Sequence, residues 1–358
     1  MTTPSIHSPA PTRAAQRVLS GVRPTGKLHL GNAMGAVNNW LRLQREYDCY
    51  FFIADWHALT TDYADTSAVR QNTLEVALDL MGAGLDPEQC VLFVQSHVPQ
   101  HAELHLLFSM ITPLGWLERV PTYKEQQENL SGRDLSTYGF LGYPLLQSAD
   151  ILLYQADWVP VGQDQVAHVE LTREVARRFN QLYPAQPDVL PEPKVLLTPS
   201  PKLPGVDGRK MSKSYGNTIL LADPEPEVRQ KLKTMVTDPA RIRRTDKGNP
   251  DVCPVFDLHK VFSTAETQQK VREGCTTASI GCIECKGWAA DGIVRYIAPM
   301  QERRAALAAK PQQVWQTLHA GAERAQQRAE ATMRQVRDAM RLAPHAATIA
   351  PEKEATRA

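Results

Sequence analysis

Several things are missing from this sequence, and each absence closes off a class of function. No uninterrupted apolar run is long enough to cross a bilayer, so a membrane-spanning helix is not expected. Charge of neither sign dominates: 40 Lys and Arg against 39 Asp and Glu leave a formal net charge of +1, so a nucleic-acid partner would need local basic patches. Residues 1–16 have no apolar core, which argues against a secretory signal. Pro4, Pro9 and Pro11 work against an amphipathic targeting helix there, and a disordered tail is the expectation. The first glycine-rich turn fits neither G-x-G-x-x-G nor G-x-x-x-x-G-K-[ST], the two commonest phosphate loops. No Ser/His/Asp arrangement offers a nucleophile. What remains is a chain of 358 residues, 42% hydrophobic and 22% charged, long enough for two domains and a sizeable core.

The chain alternates strand and helix patterns through its first two thirds. Val18-Leu19, Cys49 to Ala54, Val91 to Gln95 and Trp158 to Val161 are short apolar runs of the kind covered on both faces of a parallel sheet. Helical patterns follow from about Thr66, from Ala102 to Leu117 with a break at Pro113, from Tyr143 to Tyr154 with Pro144 at the first helical position, and through about Asn180. Lys124 to Tyr138 reads as a polar surface connection. From about Asp223 the strands stop, and Glu225 to Val236, Trp288 to Ala309 and Pro311 to Arg341 carry helical periodicity. The expected fold is α/β, a doubly wound parallel (Rossmann-like) sheet with a smaller all-helical C-terminal domain. Its divisions are a tail at 1–16, a sheet domain at 17–222, a helical domain at 223–342 and a flexible tail at 343–358.

Two stretches stand out chemically. After the first strand comes a loop with Gly21, Pro24 and Gly26, then His29-Leu30-Gly31-Asn32 opening a helix. Glycines admit a close phosphate and a helix N-terminus favours negative charge, although a plain helix cap would look the same. Far downstream, Lys210-Met211-Ser212-Lys213-Ser214 follows a loop with Pro199, Pro201, Pro204, Gly205 and Gly208, and by itself is a solvated basic run. Between them, Tyr143, Gln147, Asp150 and Tyr154 share one helical face, a polar stripe that either meets solvent or lines a pocket. Asp55, Trp56, His57 and His97 sit just beyond the carboxyl ends of strands, where open α/β sheets place ligands. Arg241, Arg243, Arg244 and Lys247 form a basic cluster suited to phosphates, or a solvated charge run. Cys253, Cys275, Cys282 and Cys285 suit tetrahedral zinc, an iron–sulfur cluster or free thiols, with a C-x-x-C pair at the end. Cys49 and Cys90 lie at or beside apolar strands and read as core.

Taken in order, His29 to Asn32 and Lys210 to Ser214 resemble the HIGH and KMSKS signatures of the class I aminoacyl-tRNA synthetases. Pro160 to Gln165 (PVGQDQ), followed by His168 to Arg173 (HVELTR), is similar to the PVGEDQ pattern of the tryptophanyl group; tyrosyl relatives carry a GTDQ-like turn. The resemblance spans roughly Val18 to Leu342. It implies ATP-dependent activation of L-tryptophan with Mg²⁺ and transfer to tRNA(Trp), by a cytoplasmic homodimer whose helical part binds the anticodon. His29, Asn32, Lys210 and Lys213 would be catalytic. ATP would meet Gly21, Arg23, Thr25, Gly31, Asn32, Gly162, Asp164, Gln165, Lys210, Met211, Ser212 and Lys213, with an N-cap role for Asp164 compatible. Tryptophan would meet Asp150, which accepts the indole N–H, together with Gln147, Tyr143, His57, Val159, Val161, Leu19 and Gly21. A subset of bacterial tryptophanyl enzymes binds a [4Fe-4S] cluster through four cysteines in this segment, which favours Cys253, Cys275, Cys282 and Cys285 as its ligands, with Zn²⁺ as the alternative. Departures from the pattern are Asn32 for the last His of HIGH, Arg23 for a common Gln and Gln147 for an occasional Met. Competing readings are a tyrosyl-tRNA synthetase, a non-catalytic RNA-binding paralogue and a redox-sensing iron–sulfur protein.

Overall fold

The computed structural model describes residues 16–121, 135–197 and 203–343. The expected tails (apart from residues 16 and 343), most of the polar 124–138 connection, Pro199, Pro201 and the side chain of Asp164 lie outside the described residues.

Five strands form one parallel sheet: β1 (Arg17–Val22), β2 (Asp48–Ile53), β3 (Val91–Val94), β4 (Trp158–Val161) and β5 (Lys194–Leu197), in the order β3-β2-β1-β4-β5. Alternate residues of each strand face opposite sides, and here both sides are apolar. Val18, Cys49, Phe51, Ile53, Leu92 and Val94 belong to one hydrophobic cluster. Leu19, Tyr50, Phe52, Val91 and Phe93 belong to the other. That is why these segments read as continuous apolar runs. The order reverses direction at β1, between β2 and β4, and the crevice beside that point is where such sheets hold ligands.

The described helices, in chain order, are α1 (Leu30–Asn32), α2 (Asn38–Glu46), α3 (Asp55–Asp62), α4 (Val69–Ala83), α5 (Gln100–Ser109), α6 (Leu114–Glu118), α7 (Tyr138–Leu153), α8 (Val166–Leu182), α9 (Glu225–Thr234), α10 (Pro254–Phe262), α11 (Ala265–Thr276), α12 (Cys282–Ala308) and α13 (Pro311–Ala339). A wider-wound turn, Ala33–Val37, joins α1 to α2.

Pro144 corrects the sequence reading. It lies inside α7, because Thr137 starts that helix by accepting the N–H of Phe140 on its hydroxyl at 3.3 Å. The interior proline forgoes one backbone bond, and Ser148 donates its hydroxyl to the Pro144 carbonyl at 3.0 Å. Helix α12 also begins six residues before the expected Trp288, which puts Cys282 and Cys285 in its first turn.

The helices beyond residue 223 pack directly on the sheet portion. Helix α13 lies along β3, the edge strand, and supplies residues to both hydrophobic clusters, Val314 and Leu318 to one, Ala322, Ala325, Ala329, Met333 and Val336 to the other. Contact is so close at Gly321 that a Cβ would lie 1.9 Å from the Leu92 carbonyl oxygen. Arg337 on α13 binds Glu103 of α5 through two hydrogen bonds, 2.7 and 2.6 Å.

Candidate active site

A cleft of about 340 Å³ opens at the carboxyl ends of β1, β2 and β4, lined by Gly21, Arg23, Phe52, His57, Tyr143, Gln147, Asp150, Gln165 and His168 among others. Gly21 is needed at its floor, since a Cβ there would come within 2.5 Å of the Phe52 ring. Asp150 is 1% exposed and sits at the centre of a hydrogen-bond network. Its Oδ1 accepts from Gln95 Nε2 at 2.8 Å and His101 Nδ1 at 2.7 Å, and its Oδ2 from His57 Nε2 at 2.7 Å. His101 in turn meets the Tyr154 hydroxyl at 2.8 Å. Burial alone would raise the Asp150 pKa, but His57 and His101 outweigh it and hold the carboxyl at about 2. The cleft thus holds an ionised, acceptor-only group among mostly polar side chains, with Phe52 as its aromatic wall.

The stripe expected on α7 therefore lines a pocket for three of its members. Tyr143 and Gln147 reach His168, the latter through a 2.6 Å bond between Oε1 and Nδ1, while Tyr154 is fully buried behind the cleft. Leu19, Val159 and Val161 are strand residues buried in the hydrophobic core and do not line the cleft. Gln95, His101 and His168 are site residues that the sequence reading passed over. Gln95 carries a signal, a polar residue closing an all-apolar strand, and His168 opens the HVELTR stretch; His101 carries none.

A second cleft of about 800 Å³ adjoins the first and shares Val22 and Arg23 with it. Its lining includes Thr25, His29, Asn32, Ser212 and Lys213, so the structure brings the two signature stretches to one place. His29 and Asn32 cap each other: His29 Nδ1 accepts the Asn32 N–H at 3.3 Å and Asn32 Oδ1 accepts the His29 N–H at 3.1 Å. A neutral ring accepting at Nδ1 carries its proton on Nε2. Burial, then Lys213 and Lys210, lower the His29 pKa from 6.5 to about 4, so the ring is a neutral donor at physiological pH. Asn32 can donate through its amide N–H₂ alone, because its oxygen is committed to the cap.

Lys213 Nζ donates to the Gly26 carbonyl at 2.7 Å and the Thr25 carbonyl at 3.2 Å, closing one signature loop on the other. Its burial lowers the pKa from 10.5 to about 8. Backbone bonds Leu30 N–H to Ile219 O (3.0 Å) and Leu221 N–H to Leu28 O (2.9 Å) stitch the same two segments. Met211 is buried, Lys210 exposed, and Ser212 N–H donates to Asn217 Oδ1 at 2.8 Å. Gly31 leaves room for the His29 ring, with Met211 across from it. Gly162 precedes the short turn Gln163–Gln165, of which Gln165 lines the first cleft.

The four clustered cysteines come from three helices. Cys253 precedes α10, Cys275 lies in the last turn of α11, and Cys282 and Cys285 open α12. Burial and then the neighbouring Cys253, Cys275 and Cys282 push the Cys285 thiol up to about 12. Among the described residues, no group of three or more His, Cys, Asp or Glu is gathered as a metal-ion site. Arg241 departs from the expected basic cluster: it is 8% exposed and points inward, donating to Cys275 Sγ at 3.5 Å and to the Ile280 carbonyl. Arg243, Arg244 and Lys247 remain exposed.

Comparison with known proteins places this geometry. A family model described as tRNA synthetases class I (W and Y) matches residues 12–297. A tryptophan–tRNA ligase of Thermotoga maritima is 53% identical over 328 residues, covering 91% of this chain and 99% of its own. One of Ralstonia nicotianae is 48% identical over 394 residues, covering 91% and 98%. The crystal structure of tryptophanyl-tRNA synthetase from Campylobacter jejuni complexed with ADP and tryptophane matches with a TM-score of 0.84 and 31% identity, over 91% of this chain and 100% of that one. With both signatures on one cleft and relatives of this closeness over nearly their full length, the chain belongs to the class I tRNA synthetases, in their tryptophanyl branch.

Proposed function

We propose that the chain activates L-tryptophan with ATP and transfers it to tRNA(Trp). The observation that carries this reading is the ionised Asp150 in a largely polar cleft, walled in part by Phe52, that adjoins the cleft holding His29 and Lys213. An indole N–H is a donor only and pairs with a carboxylate that only accepts. Tyr143, Gln147 and Gln165 line the same cleft and would orient the amino-acid end of the substrate.

A carboxylate oxygen of tryptophan attacks the α-phosphorus of ATP as the bond to the bridging oxygen breaks, and pyrophosphate leaves. The ribose 2′-OH of the terminal tRNA adenosine then attacks the acyl carbon, and AMP leaves. Neither step needs a protein nucleophile, so the chain's part is to position reactants and stabilise charge. The neutral His29 offers Nε2–H to the phosphates, while Lys213 and Lys210 neutralise the departing pyrophosphate. Mg²⁺ accompanies the nucleotide through its phosphates.

The helical part offers a tRNA surface. A groove of about 540 Å³ is lined by Arg243, Arg244, Ile242, Ile283 and Cys282, a mix suited to phosphates and unstacked bases. Cys253, Cys275, Cys282 and Cys285 are the proposed ligands of a [4Fe-4S] cluster, with Zn²⁺ the alternative. What supports it is four cysteines whose charges act on Cys285, with the Arg241 guanidinium aimed at Cys275 to offset thiolate charge, although the described residues do not gather them as a formed metal-ion site. When bound, such a group cross-links α10, α11 and α12 and is capable of one-electron redox chemistry. Leu106, Met110, Leu114 and Tyr138 are exposed apolar side chains of the kind a homodimer would cover. Cytoplasmic location fits the free thiols, and no described helix is long and apolar enough to cross a membrane.

ATP–pyrophosphate exchange with tryptophan and tyrosine in parallel tests the activation step. Exchange with tryptophan alone is expected; exchange with tyrosine would move the chain to the neighbouring specificity, and none with either would favour a non-catalytic role.

A further inference from the structure

Among the buried carboxylates that the proposed mechanism leaves unused, one lies directly behind the first signature stretch. Asp79 on α4 is 2% exposed, and its Oδ2 accepts the backbone N–H of Leu28 at 2.6 Å. Leu28 immediately precedes His29, so this bond fixes where the mutual cap of His29 and Asn32 begins. Oδ1 of Asp79 accepts Nε of Arg304 at 2.6 Å, and Arg304 also pairs with Glu75, one turn earlier on α4. Asp79 also lies close enough to Lys213 for its charge to oppose the fall in that lysine's pKa. One carboxylate therefore bonds the peptide behind the first signature and acts on the charge of the second.

Arg304 lies near the end of α12, the helix whose first turn carries Cys282 and Cys285. Gly82 allows α12 and α4 to touch, since a Cβ there would lie 3.0 Å from the Cβ of Arg304 and 3.1 Å from the Met300 carbonyl. On the same stretch, Gln301 donates to the carbonyls of Leu221 and Asp223, both at 2.8 Å, at the end of the segment that pairs with Leu28 and Leu30. The end of one helix from the C-terminal part thus grips both walls of the phosphate cleft.

We propose that Asp79 is a positioning residue for the adenylate-forming step, and that Arg304 is the contact through which the helical C-terminal part of the chain acts on it. This rests on the tryptophan-activating reading. Asn at position 79 keeps the size and one acceptor for the Leu28 N–H but removes the charge that holds Arg304 and supports Lys213.

The test is ATP–pyrophosphate exchange by the full chain, as wild type, Asp79→Asn, Arg304→Met, the double variant and Arg304→Lys, with rates normalised to titrated active sites and folding checked by thermal melting. In Asp79→Asn and in Arg304→Met alike, kcat/KM for ATP should fall about ten- to a hundredfold while KM for tryptophan holds. The double variant should lose no more than the worse single one, because Arg304 acts through Asp79. Arg304→Lys, on a partly exposed side chain, should recover part of the loss and stands in if Asp79→Asn fails to fold. Unchanged ATP parameters, losses that vanish on normalisation, equal rises in KM for both substrates, or effects that multiply in the double variant would overturn the inference. A wild-type chain inactive with tryptophan would instead overturn the functional reading, and that is known before any variant is compared.

Discussion

Replacing Asp150 with Asn tests the tryptophan site with little change in shape. Three donors converge on the carboxylate, from Gln95, His101 and His57. An amide keeps its oxygen toward Gln95 and His101 and turns its N–H₂ toward His57 Nε2, which then accepts through the other ring tautomer. The fold survives, but the indole N–H meets no carboxylate. A hydrogen bond to a charged group contributes about 1.5–3 kcal/mol, or about ten- to 150-fold in kcat/KM. Exchange measured against tryptophan at saturating ATP should show that loss, with KM for ATP unchanged. The same substitution has a stability signature. The Asp150 pKa falls from 3.8 to about 2 in the fold, so the native carboxylate contributes about 2 kcal/mol, present above pH ~4 and lost as the pH falls toward 2. Asp150→Asn should melt lower than wild type at pH 7, and the gap should close in acid. A variant that uses tryptophan as well as wild type, with the melting gap present, would refute Asp150 as the indole acceptor.

Three further outcomes follow from the geometry. The kcat/KM for ATP should have an acid limb near pH 4, where His29 gains a proton, and an alkaline limb near pH 8, where Lys213 loses one. The alkaline limb should move up in kcat, because bound phosphates stabilise the ammonium; a flat profile through pH 8 would refute the role of Lys213. Gly321→Ala pushes a methyl into the Leu92 carbonyl and should cost about 1–3 kcal/mol, read as a lower urea midpoint, and a neutral result would show that α13 can lift off the strand. Protein purified without oxygen should carry iron and sulfide with a visible absorbance that Cys285→Ser abolishes; a colourless protein containing zinc would select the alternative.

Much of this was legible in the residues. Both faces of β2, β3 and β4 are covered, so these strands appear as apolar runs, and the two signatures are short, local and chemically pointed; β5 (Lys194–Leu197), exposed at both ends, was not anticipated. The site's supporting groups were not legible. His101 is buried against Asp150 only because α5 packs on α7, and nothing within Gln100–Ser109 distinguishes it from His105. Arg241 looked like its exposed neighbours Arg243 and Arg244, yet a chain turn aims it at Ile280 and Cys275. Pro144 misled because a proline reads as a helix start, whereas the Thr137 cap lies outside the window of apolar periodicity. Leu19, Val159 and Val161 have the right composition for a tryptophan pocket, but strand alternation turns them into the core. Apart from Pro144, where the cap is local, the deciding contact is between segments far apart in sequence, and local pattern carries no record of it.

The position of α13 also bears on how the protein is made. It lies against the edge strand β3, yet it is the last described helix to leave the ribosome. The roughly 245 residues between Val94 and Ala339 take about 10–50 s to synthesise, and for that time the nascent sheet has a bare margin able to pair with other chains. A four-residue edge keeps that hazard small, but any product released early, before Pro311, would keep it for life. Translation that stalls late in the message would thus yield not a partly active enzyme but a chain marked for chaperones, proteolysis or aggregation.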